Sequence, residues 1–538
     1  MNILRISGWA VLVSAFSITS LPDAATTNFW TKPSDGKWTE SSAWSLGILP
    51  DNSQSVAILN DNPKTIEIDA ATAQAFPSSL SMQHLVVSNG NTVLLNRLGA
   101  DHPLTLNAGT NRWQGLELSG GARLVTFDSR IAINGSLRVL KGRLSQEGGT
   151  VTTDHAVFAS GGFYYLTNGL FETADLELPS SGIIYQYGGT ARALNTLRLI
   201  SGSSYNMFDG ELFVGGTLNV SDSSGFFQFG GLNQAGELLV ASILSSVGYV
   251  LNSGTLLVSN AWISAGMSSS MFEQNGGVQI VTNAIHLRGS ARYYPPQPII
   301  ASYEVGHYAT VSARTLEADS SFGFWSYENH GQSHFKEDIR FFGSPDYPCD
   351  LIMRGGALTC SKFLVQDAVV DIQQFGGAMI VSNLFSFGGY YPGVYGGQHA
   401  RPARYDFSQG TLSASHIDLS AEWVIGSSSE TGRINNPGSF RMAGTLQVGN
   451  ATELFGKFIL ASNATINLKD GDASLSFARS DSEIWKNSAT LLVLNWDGNT
   501  NGGGKDQLRF GNNRNALTPK QVSQIQFIDP VNLPGGTY

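Results

Sequence analysis

One spacing governs what this chain can become. Short aromatic or apolar stretches each close on a glycine, at Gly149, Gly169, Gly189, Gly210, Gly231, Gly254 and Gly277. The intervals are 20, 20, 21, 21, 23 and 23 residues, and Gly356 and Gly377 repeat the interval of 21. Two more columns keep the register. Five residues before each glycine stand Leu144, Tyr164, Ile184, Tyr205, Phe226, Tyr249 and Phe272. Three before it stand Gln146, Leu166, Gln186, Met207, Gln228, Leu251 and Gln274, and Met353 and Gln374 continue the alternation of glutamine with an apolar residue. A pair of turns is therefore a second candidate unit.

Each turn holds two period-2 stretches separated by Gly, Ser and Asn, and none of it has the 3.6 period of a helix. So short a unit cannot bury its own apolar face, but stacked copies form one continuous core. The expected fold is all-β: a parallel β-solenoid, most simply a right-handed β-helix, with ~21-residue rungs about 4.8 Å apart and roughly 20 of them. A propeller is the competing architecture, but half-units resemble each other and no Trp-Asp blade signature recurs. The glutamine column reads as structural, each amide bonding backbone groups at a glycine corner.

Composition narrows the function. Charged residues are 14% and aromatics 10%, which excludes a disordered chain. The 32 basic and 42 acidic residues leave −10, against a nucleic-acid partner or a polybasic membrane patch. Cys349 and Cys360, the two cysteines, exclude a disulfide scaffold; they either pair after export or remain buried thiols.

Residues 1–25 read as a secretory signal peptide: Arg5, an apolar run over 6–18, then small residues. No later run is long enough to span a membrane as a helix. The mature chain divides into an N-terminal cap with first rungs (26–140), regular solenoid (141–290), an irregular insertion (291–346), further rungs (347–485) and a C-terminal cap (486–538). Thr518 and Pro519 start a short helix over 518–526.

Candidate binding residues lie in the irregular segments, since loops on a rigid scaffold carry function. Tyr293, Tyr294, Trp325, Tyr327, His330 and His334 fall in 291–346, and Tyr390, Tyr391 and Tyr395 in the loop 388–404. Exposed aromatics there would stack on sugar rings. Glu304, Asp319, Glu328, Glu337 and Asp338 form the one acidic group suited to glycan cleavage. His330 and His334 have the i, i+4 spacing of a zinc pair on a helix, but Gly331 between them and the missing Glu favour a solvated loop. No catalytic residue, metal ligand or cofactor motif is assigned.

The N-terminal Asn28-Phe29-Trp30, Gly36-Lys37-Trp38 and Ala43-Trp44-Ser45-Leu46-Gly47 with Pro50 resemble the opening of exported bacterial solenoid proteins with autotransporter-type passenger repeats. The C-terminal Asn495-Trp496-Asp497-Gly498, Gly502 to Leu508, Phe510-Gly511 and Leu517-Thr518 resemble the segment preceding PEP-CTERM-type sorting tails, without the Pro-Glu-Pro box. The resemblance implies a secreted or cell-surface bacterial protein of structural, adhesive or matrix type, with extracellular polysaccharide or cell-surface components as partners. The alternative is a carbohydrate-binding or lyase- or hydrolase-like β-helix acting through the loops 291–346 and 388–404.

Overall fold

A computed structural model of the chain describes residues 26–108, 114–242, 245–266, 268–289, 300–319, 324–343, 349–366, 368, 370–387, 404–419, 422–425, 433–469, 472–531 and 533–538. It is all-β, 67% strand and 4% helix, with parallel coils stacked into a β-solenoid of about 16 turns. The turns are fewer than the spacing predicts because the first coils are longer. Ser55 stacks on His84 and Leu85 on Leu116, advances of 29 and 31 residues. At the usual rung spacing, about 16 turns make a rod of about 75 Å.

Inside the repeat, register follows the glycine spacing. Tyr164 stacks on Ile184, Ile184 on Tyr205 and Tyr205 on Phe226. Tyr205, Phe226, Tyr249, Phe272, Tyr303 and Tyr327 form an interior aromatic ladder with successive ring centroids 4.9, 4.7, 5.2, 4.8 and 5.3 Å apart. Gly189 shows why the corner needs glycine. Its φ is +67°, and a Cβ there would stand 2.7 Å from the carbonyl oxygen of Gly169 in the turn before.

The glutamine alternation has a physical cause that the sequence reading did not reach. Gln186 donates from Nε2 to the carbonyls of Gly189 (3.2 Å) and Glu211 (2.9 Å), bridging two corners. Its Oε1 accepts from the hydroxyl of Tyr205 at 2.6 Å, one turn on. Gln146 with Tyr164, Gln228 with Tyr249 and Gln374 with Tyr405 repeat the arrangement. At these four positions the glutamine's partner is a tyrosine on the next turn, and the two form one buried polar unit spanning two rungs; at Gln274 the next-turn Tyr303 donates to Gln279 instead.

The segment 291–346 is not an irregular insertion where it is described. Phe324–Asn329, Gln332–Phe335 and Asp338–Phe342 stack in register on Ile300–Asp319. The columns blur because Asn329 takes the glutamine position. It donates to the carbonyls of Gly331 and Ala357 (3.3 and 3.4 Å) and accepts from Ser333, which in turn accepts from Tyr327.

The ends are capped. Trp44 meets Trp30 and Trp38 edge-on (5.0 and 4.8 Å), and the Trp38 indole donates to the Ser79 carbonyl at 3.1 Å. A helix at Ala70–Ala75, unforeseen in the sequence, starts at Asp69, whose carboxylate accepts from the Thr72 amide at 2.7 Å. The C-terminal helix covers only Pro519–Val522, with Thr518 and Gln521 closing a capping box; Ile525–Ile528 is strand instead. Among the described residues no helix is long and apolar enough to cross a membrane.

Candidate functional site

From Gly169 onward, the strand before each glycine corner turns the residues two and four positions before that glycine outward. Over successive turns these positions become columns on one face of the rod. In the first turns the columns are aromatic. Tyr165 stacks on Tyr185 (5.2 Å), Tyr187 on Phe208 (5.0 Å) and Phe208 on Phe229 (5.1 Å). The interplanar angles of 24°, 7° and 11° turn ring face onto ring face, so the edges meet water. This ladder covers its own apolar faces and offers few to a sugar. Its residues are in register in the sequence, and the column two before glycine would have revealed it.

Further along, the same face becomes polar and acidic. Asn275 donates to Asn252 at 3.0 Å. Glu273, Glu304 and Glu328 are register partners on three consecutive turns. Burial raises the Glu304 carboxyl above its ordinary range, and the neighbouring Glu328 and Glu273 carboxylates add to the rise. Glu328 accepts from His330 Nε2 at 2.9 Å and from the Arg354 guanidinium. The His330 ring lies 4.8 Å from that of His307. A few positions earlier on the face, Asp350 and Asp371 are register partners, and burial with the Asp371 charge raises Asp350.

The structure thus divides the acidic group anticipated from sequence. Glu304 and Glu328 meet. Asp319, Glu337 and Asp338 lie elsewhere, facing Arg288 (3.7 Å), Arg314 (2.9 Å) and Arg340 (2.8 Å) respectively. Trp325 and Tyr327, predicted as surface aromatics, are 1% and 0% exposed and belong to the core, because they continue the inward columns. His330 reaches the acidic face; His334 is on another face, 2.6 Å from Thr359 Oγ1, so the two do not converge. Tyr293, Tyr294, Tyr390, Tyr391 and Tyr395 lie outside the described residues. Among the described residues no group of three or more His, Cys, Asp or Glu is placed to hold a metal ion. Cys349 and Cys360 are buried and form no disulfide, and burial pushes both thiols up.

A second cluster went unseen in the sequence. His286 stacks on Trp262 (3.7 Å), with Nδ1 3.4 Å from a Glu317 carboxylate oxygen. Burial holds its imidazole below the ordinary range. The two columns could be aligned from the repeat, but only stacking shows that His and Glu face each other. Comparison of the chain with protein-family models, curated proteins and solved structures gives no match.

Proposed function

We propose that this chain is an exported structural or adhesive rod of a bacterial cell surface or matrix. The observation that carries this reading is that buried glutamine–tyrosine pairs bond one turn of the rod to the next at four places along it. Each Gln–Tyr unit fixes two rungs, and the exterior aromatics stack on themselves. Such a stack resists opening, while capped ends limit pairing with other strands. The export signal and the resemblance at both ends support the location. Fractionation of the source cells with an antibody to the chain tests it: the protein belongs in the extracellular or surface fraction, and a deletion strain attaches poorly. Recovery in the cytoplasm with normal attachment overturns the reading.

One observation favours a second reading, a glycan hydrolase. Glu304 and Glu328 are register partners on adjacent turns, so that their backbones are about 4.8 Å apart, and retaining glycosidases use a pair of neighbouring carboxyls. Glu304 would be the acid and Glu328, held by Arg354 and His330, the carboxylate. Against it, the three glutamates are spread along an outer sheet face, and Glu328 is already bonded on two sides.

A further inference from the structure

The strands that follow the glycine corners form a second outer face, and one depression in it differs from the rest. Arg192, Phe213 and Gln234 are register partners on three consecutive turns, and Glu211 and Leu232 stand beside them in the adjoining column. Together with Leu194 they line a hollow of about 410 Å³. That lies within the range of roughly 300–1,000 Å³ usual for small-molecule sites.

Three glycines follow the lining residues of their strands. Gly215 sits over Leu194 so closely that a Cβ there would collide with the Leu194 carbonyl oxygen, and Gly216 and Gly236 crowd neighbouring carbonyls in the same way. These glycines let the turns close tightly beside the hollow, where Leu194 is 49% exposed. Phe213, 37% exposed, stacks on no other ring among the described residues, unlike Tyr187, Phe208 and Phe229 on the neighbouring face.

We infer that this hollow binds a sugar residue of a neutral polysaccharide, with Phe213 and Leu194 against the apolar C–H face of the ring and Arg192, Glu211 and Gln234 on its hydroxyls. A pyranose needs both halves of that set: an apolar patch, and donors and acceptors around it. Arg192 supplies donors only, Glu211 acceptors only, and Gln234 both. The rim selects against polyuronates. Arg192 lies 3.7 Å from Glu172, Glu211 adds a second carboxylate, and the chain carries −10. The site deepens the adhesive reading and rests on it for its biological meaning, but its chemistry can be tested separately.

The test is affinity electrophoresis of the purified chain through gels containing soluble starch, hydroxyethylcellulose or galactomannan, with alginate as the anionic comparison. At least one neutral polymer should retard the chain and alginate should not. Phe213→Ala should weaken the retardation about tenfold, Gln234→Ala should weaken it too, and Tyr187→Ala on the ladder face should leave it unchanged. If Phe213→Ala misfolds by circular dichroism, Gln234→Ala and Arg192→Ala carry the test, since both side chains are outside the core. Undiminished binding by the folded variants overturns the site and leaves the adhesive reading intact. Retardation by alginate alone, or by no polymer, overturns it as well. A cytoplasmic location would instead sink the adhesive reading and leave the binding result standing.

Discussion

Removing the Tyr205 hydroxyl should cost more than one hydrogen bond normally contributes. The hydroxyl donates at 2.6 Å to Gln186 Oε1, and both residues are fully buried. In Tyr205→Phe that oxygen keeps no partner and water cannot reach it. An unsatisfied buried acceptor costs about 1–3 kcal/mol, against about 1 for a typical bond. Gln186→Met also removes the bridge to the carbonyls of Gly189 and Glu211, so it should cost at least as much. In the double variant the phenylalanine has no orphan to create. The two effects should fall short of additivity by about 1–3 kcal/mol. A stacked rod opens locally, so the assay is native-state hydrogen exchange at amides of these two turns rather than a global melt. Tyr165→Phe, on the outer ladder, is the control and should be near neutral. Additivity within about 0.5 kcal/mol would refute the claim that Gln and Tyr form one unit.

Gly189→Ala should destabilise its turn markedly, because it combines a positive φ with a collision at Gly169. Gly161→Ala, at φ +79° in open space, should cost only the roughly 1–2 kcal/mol of left-handed strain; hydrogen exchange at the two corners compares them. Glu453 points inward, accepts the Ile434 amide at 3.1 Å, and is raised by burial to about 7. A raised carboxyl favours its neutral form in the folded state. Stability is therefore greatest below the unfolded value near 4.5 and falls as pH rises to about 7, by at most about 3 kcal/mol. Glu453→Gln should flatten that slope in urea titrations at several pH values, and an unchanged slope would clear Glu453 of the effect. Cys349 and Cys360 should react with a thiol reagent only after denaturation, and both should do so without prior reduction.

The sequence carried most of the architecture because each turn repeats the same physical problem. Glycine corners, an inward aromatic column and glutamine at alternate turns are visible as columns, and columns become ladders on stacking. What it hid depends on neighbours one rung away. Asn329 does the work of a glutamine, so the turn around it looked like an insertion. Trp325 and Tyr327 looked like loop aromatics because the column that draws them inward was lost at that point. Glu304 was flagged for its charge alone, whereas its raised carboxyl comes from burial beside Glu328 and Glu273. The Phe213 hollow depends on which side chains of three successive turns come together, which shows only once Arg192, Phe213 and Gln234 are stacked.

The most direct test of a binding rather than a cutting role is reducing-end release from the polymer that retards the chain most. The account predicts that the bound polymer keeps its length, and that Glu304→Gln changes neither binding nor polymer size. New reducing ends in proportion to protein, abolished by Glu304→Gln, would contradict it and make the Glu304–Glu328 pair an active site.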